Sequence, residues 1–177
     1  MTSLTKFIKD GYFGDCPYIM SEYAEYSLEE YIKLIEFPGK IPFSMICVQM
    51  IEAVEQMHNA GFIHKDIKPD NFRIKDNKVV LIDFGIAINY QRDGKHIRRD
   101  QNGFEGSHPY GSIRALQGYT LSRRDDIESL GYSFIQILNP LVKDVPWSQF
   151  DFADPNILEL LKCKNLYLGI KGRDHIY

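Results

Sequence analysis

The stretch that decides how this chain is read is His64–Asn71, HKDIKPDN, followed by Asp83-Phe84-Gly85, whose aspartate stands twelve residues after Asn71. Carboxylates, an amide and lysine crowd here into the least hydrophobic part of a segment otherwise rich in core residues. Downstream, in FRIKDNKVVLIDFG, Phe72–Ile74 and Val79–Ile82 read as short strands joined by a turn that contains Asp76 and Asn77. That hairpin is expected to set Asn71 and Asp83 near each other. Upstream, the apolar positions of PFSMICVQMIEAVEQMHN (42–59) cover most of a helix circumference, and Gly61 supplies the stop, so a buried central helix is expected.

Further out, residues 6–23 alternate loosely around a Gly-Asp turn and read as two strands. Ser27-Leu28-Glu29-Glu30 has capping-box spacing, and Leu28, Tyr31, Ile32 and Ile35 follow at helical intervals, predicting a short helix that stops near Pro38-Gly39. Residues 86–121 show no clear period and read as a long ordered loop. A second capped helix is expected from Ser122-Arg123-Arg124-Asp125 to Pro140, and a last one from Asp154-Pro155. There is no internal repeat or low-complexity tract.

With 177 residues and 44% hydrophobic content, the chain has material for one core and one globular unit. A formal net charge of -3 argues against a broad nucleic-acid surface, which needs excess Lys and Arg. Three cysteines, Cys16, Cys47 and Cys163, are odd in number and form no CxxC pair, which fits reduced thiols in cytoplasm or nucleus. No apolar run reaches the length of a secretion signal or of a membrane span, so neither membrane nor nucleic acid is an expected partner.

Asp66, Lys68, Asn71 and Asp83, in this order and spacing, resemble the catalytic loop and metal-binding motif of eukaryotic protein kinases. Lys68-Pro69 resembles the serine/threonine branch. The resemblance implies an α+β, protein-kinase-like fold, with Asp66 orienting and deprotonating a substrate hydroxyl and Lys68 beside the moving phosphate. It also implies ATP and Mg2+ as cofactors, with Asn71 and Asp83 as the metal pair, since their oxygens are hard donors suited to magnesium. For Asp66 or Asn71 taken alone, a hydrogen-bonded turn remains the competing reading.

GFIHKDIKPDNF, SRRDDIESLGY (122–132), Pro146-Trp147 and the missing Ala-Pro-Glu tripeptide are similar to the casein kinase I family. Gly106-Ser107 stands where that family has Gly-Thr, so the Ser107 hydroxyl could bond Asp66 and Lys68. Asp126 matches the aspartate that holds the catalytic-loop backbone; an ordinary first-turn helix acid is the alternative. Glu22-Tyr23-Ala24 matches the hinge whose backbone bonds adenine, making Glu22 and Ala24 nucleotide-binding candidates, with Ser21 near the gatekeeper. His64 and Phe84 match an apolar column between the two motifs, and a plain core histidine explains His64 equally. Lys65 replaces the family's arginine, so a role in clamping an anion does not carry over. The basic residues Arg92, Lys95, His96, Arg98 and Arg99 imply acidic or already phosphorylated protein substrates; a solvated loop is the alternative. At His108-Pro109-Tyr110-Gly111-Ser112 the family's substrate-docking residues differ, and no docking role is transferred.

By the same resemblance, residues 1–23 correspond to the end of a small lobe and the hinge, and 24–177 to an incomplete, helical large lobe. Upstream of Glu22 there is no Gly-rich phosphate loop, strand lysine or partnering glutamate, so weak activity and an exposed apolar patch prone to association are expected. The competing function is a noncatalytic kinase-fold binding module.

Overall fold

The computed structural model describes residues 3–33, 41–92, 94–97, 100, 103–138, 145–148 and 164. Phe7–Phe13 (β1) and Cys16–Ser21 (β2) form an antiparallel ribbon that turns at Gly14-Asp15, where Gly14 takes φ +61° at no Cβ cost. Tyr26–Ser27 (β3) leads straight into Leu28–Lys33 (α1). The capping box forms as expected: Glu30 N donates to Ser27 Oγ at 3.1 Å, and Ser27 N donates to Glu30 Oε2 at 2.8 Å.

The central helix is Phe43–Asn59 (α2), ended by Ala60 and by Gly61 at φ +89°, whose amide bonds the His58 carbonyl. Its inward stripe of Ile46, Met50, Ala53, Val54 and Met57 is buried with Leu28, Phe72, Ile74, Val79, Leu81 and Leu130 in the main core. The expectation of a buried helix holds for this stripe and needs correcting for another side. Met45, Val48 and Ile51 are 45%, 46% and 47% exposed. Apolar residues on every side make a helix able to be buried, but only a packed partner buries it, and no described element covers that side.

Phe62–Ile63 (β4) precedes the HKDIKPDN loop, which closes in a 3₁₀ turn at Pro69–Asn71. Phe72–Lys75 (β5) and Lys78–Leu81 (β6) then pair through a two-residue turn in which Asp76 and Asn77 both take positive φ, +48° and +58°. Such a turn matches the right-handed twist of the strands, and Asp and Asn are the side chains that tolerate it best. β3 adds to the β5 edge, and at the other edge Leu4 bridges Leu81 in parallel.

The span 86–121 is more structured than its sequence suggested. Ile88–Asn89 (β7) pairs with β4, Gln91–Arg92 (β8) pairs with Lys95–His96 (β9), and Ile113–Leu116 (α3) is one helical turn capped by the Ser112 hydroxyl. Strands of two residues are too short to show a period, so sequence pattern could not have found them. Arg123–Leu138 (α4) matches its prediction. Ile35, Pro38-Gly39, Arg98, Arg99, Pro140, Cys163 and the helix expected at Asp154-Pro155 lie outside the described residues.

A second cluster joins α4 to the carboxyl-terminal part. Trp147 is fully buried, donates its indole N–H to Pro109 O at 2.7 Å and meets the Tyr132 ring edge-on at 4.9 Å. Lys164 is buried against the same pair, 4.1 Å above the Tyr132 ring, and its ammonium donates to Gly111 O. Burial lowers its pKa to about 7, only partly opposed by Glu128. The sign follows: above pH 7 the folded state holds Lys164 neutral while the unfolded chain still binds the proton, so stability from this group rises between about pH 7 and 10. In urea midpoints, Lys164→Met is expected to flatten that rise; an unchanged slope would show the charge is not buried as described.

Candidate active site

The loop 64–71 carries its side chains on a backbone that a single carboxylate pins. Asp126, 2% exposed near the start of α4, accepts His64 N at 2.8 Å and His58 Nε2 at 2.8 Å on Oδ2, and Lys65 N at 2.9 Å on Oδ1. This is the loop-holding role expected of it, and it decides against the reading as an ordinary helix-start acid. It also holds Lys65 at φ +72°, a conformation that costs a non-glycine residue on the order of 1–3 kcal/mol.

His64 is fully buried and links the two motifs. Its Nε2 donates to Ile82 O at 3.0 Å, its Nδ1 accepts Asp66 N at 3.3 Å, and its ring meets Phe84 edge-on at 5.6 Å. It is therefore both a core histidine and the connection between the 64–71 loop and Asp83-Phe84-Gly85.

Asp66, Lys68 and Asn71 come together. Lys68 Nζ lies 2.7 Å from Asp66 Oδ2 and donates to Ser107 Oγ at 2.8 Å. Asn71 Nδ2 donates to Asp66 O at 2.7 Å and to Oδ2 at 3.3 Å. Burial pushes the Asp66 carboxyl up, but Lys68, the nearby Ser107 hydroxyl and Asn71 together outweigh it and hold the pKa below the ordinary aspartate value. Asp66 is therefore an anion at neutral pH. Its other oxygen, Oδ1, is buried with no hydrogen-bond partner among the described residues.

Asp83 stands apart from these three. The hairpin does bring the main chains together, since Ile82 N donates to Asn71 O at 2.9 Å. The Asp83 side chain, however, is exposed on a left-handed residue (φ +61°) and, among the described residues, accepts Gly85 N at 3.3 Å. No hydrogen bond or ion pair among the described residues joins it to Asn71 or Asp66; what the structure brings together is the Asn71 and Ile82 main chain and the Asp66–Asn71 pair. In donor type both residues suit magnesium, which takes hard oxygen ligands. Asn71 uses its amide N–H groups on Asp66, which leaves the carbonyl oxygen as donor, and a cation that keeps several waters needs few protein ligands.

At the expected hinge, Glu22 is tied into the chain: its N–H donates to Lys6 O at 2.9 Å, its carbonyl accepts Thr5 Oγ1 at 3.4 Å and its carboxylate pairs with Lys75 on β5. The bond to Lys75 keeps its pKa low against some burial. Ala24 is buried beside it. A cleft lined by Lys65, Ile88, Glu105, Ala115, Tyr119 and Leu121 does not include Asp66, Asn71 or Asp83.

Asp125 accepts Ser122 N at 2.7 Å, the cap that the sequence led one to expect. Its bond from Ser112 Oγ at 2.8 Å, and those of Glu128 from Ile113 N at 2.7 Å and Tyr132 OH at 2.6 Å, went unnoticed in the sequence. Asp125, Asp126 and Glu128 thus divide one helix start between the catalytic loop and residues 112–113. Their spacing in DDIE was the available signal. Lys65, which keeps the positive charge but not the fork of the family's arginine, pairs its ammonium with the Glu105 carboxylate. A single monodentate carboxylate needs no planar guanidinium.

A family model for the protein kinase domain matches residues 3–165. The chain belongs to the protein kinase family. Members of that family generally use ATP and Mg2+, and the fold here, mixed α and β, is kinase-like. No helix among the described residues is long and apolar enough to cross a membrane.

Proposed function

We propose that this kinase-family chain is a serine/threonine protein kinase of casein kinase I type, moving the γ-phosphate of ATP to hydroxyls of protein substrates. The observation that carries the reading is the convergence of Lys68 and Asn71 on Asp66 Oδ2, which leaves Asp66 Oδ1 as a buried acceptor with no hydrogen-bond partner among the described residues. Asp66 Oδ1 accepts the proton of the substrate hydroxyl, while Asn71 and Lys68 fix the other oxygen. Lys68 also offers positive charge where the transferred group is negative, and Ser107 orients it. Asn71 and Asp83 would hold magnesium, which when bound neutralises phosphate charge. Ala24 and the Glu22 carbonyl offer main-chain groups to adenine. The exposed Arg92, Lys95 and His96 on β8 and β9 suit acidic or phosphorylated proteins. Free thiols at Cys16 and Cys47 fit a site of action in cytoplasm or nucleus.

Mg-ATP at a hundred times its dissociation constant should stabilise the fold by about 2.7 kcal/mol. Asp83→Asn is expected to remove the magnesium-dependent part of that thermal shift. No shift at millimolar nucleotide would defeat the reading and leave a kinase-fold binding module.

A further inference from the structure

Glu22 is held through its amide, its carbonyl and its carboxylate at once, and the holding groups lead back to both strands of the hairpin whose ends carry Asn71 and Asp83. On the β6 side, Thr5 N donates to Leu81 O at 3.0 Å, Thr5 Oγ1 donates to Glu22 O at 3.4 Å, and Glu22 N donates to Lys6 O at 2.9 Å. On the β5 side, the Lys75 ammonium donates to the Glu22 carboxylate. Lys75 is the last residue of β5, whose first residue, Phe72, follows Asn71 directly, and β6 ends at Leu81, two positions before Asp83.

The chain between these points needs such a hold. Residues 22–25 form no strand, and the next fastening is Tyr26, which pairs with Ile74 beside Lys75. The stretch 22–26 is therefore tied to the end of β5 at one end by main-chain bonds and at the other by a single side-chain pair. That pair is better sheltered than Lys33–Glu29 on α1, whose side chains are 71% and 75% exposed and which contributes little. The Lys75 and Glu22 side chains are 30% and 34% exposed. Their bond lowers the Glu22 pKa and raises that of Lys75, in each case against burial, so both stay charged at neutral pH.

We infer that Lys75 is a positioning residue: by gripping Glu22 it fixes the main chain of residues 22–24 at a set span from Asn71 and Asp83, so that both ends of one nucleotide are met together. The inference rests on the kinase reading, in which adenine lies against Glu22 and Ala24 and the metal-bound phosphates lie at Asn71 and Asp83. A ligand with two ends gains from the second contact only when the two subsites are held at the distance that separates those ends.

The test measures binding of adenosine, Mg-tripolyphosphate and Mg-ATP to wild type, Lys75→Met, Lys75→Arg and the charge-exchanged pair Glu22→Lys/Lys75→Glu. In Lys75→Met, Mg-ATP should bind about threefold to tenfold more weakly, with KM rising in step and kcat changing less, because the lost interaction is common to ground and transition states. Adenosine alone and Mg-tripolyphosphate alone, each touching one end, should bind as they do to wild type. Lys75→Arg and the exchanged pair should restore most of the Mg-ATP affinity. A loss smaller than about threefold for Mg-ATP, or an equal loss for adenosine or for Mg-tripolyphosphate, overturns the brace and leaves the kinase reading standing. A wild type that binds none of the three ligands defeats the kinase reading instead. Amide hydrogen exchange over residues 22–26 then decides the brace: it stands if exchange quickens in Lys75→Met and falls if exchange is unaltered.

Discussion

Asp66→Asn is expected to lower phosphate transfer by about 10²–10⁴-fold, the usual contribution of a positioned general base, while the chain stays folded and still responds to Mg-ATP. The substitution changes little in volume. It removes the negative charge that faces Lys68 at 2.7 Å and converts an acceptor into an amide with no basicity. Asn71 keeps its bond to the Asp66 main-chain carbonyl, at 2.7 Å, so the loop retains its turn. Rate is followed with radiolabelled ATP on an acidic protein, and folding by thermal melts. A variant within tenfold of wild type would mean that Oδ1 is not the proton acceptor, whatever else the site does.

The largest expected effect on stability belongs to Asp126. Asp126→Ala leaves the amides of His64 and Lys65 and the His58 ring without their shared acceptor, in a place 2% exposed. Breaking a buried, multiply bonded charge by removing one side costs on the order of 3–5 kcal/mol. For a chain of this size that is a fall in melting temperature of roughly 6–20 °C. Lys65 would also lose the bond that keeps it at φ +72°, so hydrogen exchange should rise first across residues 64–66. Urea melts of Asp126→Ala beside Ile127→Ala, a half-exposed neighbour on the same helix, separate this from general damage to α4. Equal losses in the two variants would count against the pinning role.

What the sequence made legible was local in origin. HKDIKPDN and Asp83-Phe84-Gly85 announced their loop because several residue types had to coincide, and the two capped helices announced themselves through Ser27–Glu30 and Ser122–Asp125. Asp76 and Asn77 marked a turn because few other side chains accept positive φ twice in succession. The contacts that remained hidden join residues far apart in the chain. Nothing near Glu105 says that it will meet Lys65, forty positions away, or that Lys164 will cap Gly111 beneath Trp147. The exposed Met45, Val48 and Ile51 show the reverse failure, in which a pattern was read correctly as apolar but the covering partner was assumed. Asp83 lies between these cases: hairpin register placed its main chain, whereas its side-chain direction followed from a backbone angle that no period encodes.

The start of the described chain has a practical consequence. Ser3 and Thr5 exchange main-chain hydrogen bonds with Leu81, at 2.9 Å and 3.0 Å, and Ser3 N also reaches Gln56 at 2.7 Å. A tag, linker or surface tether joined ahead of Ser3 therefore pulls on a point two positions from Asp83, so immobilised samples are best attached elsewhere.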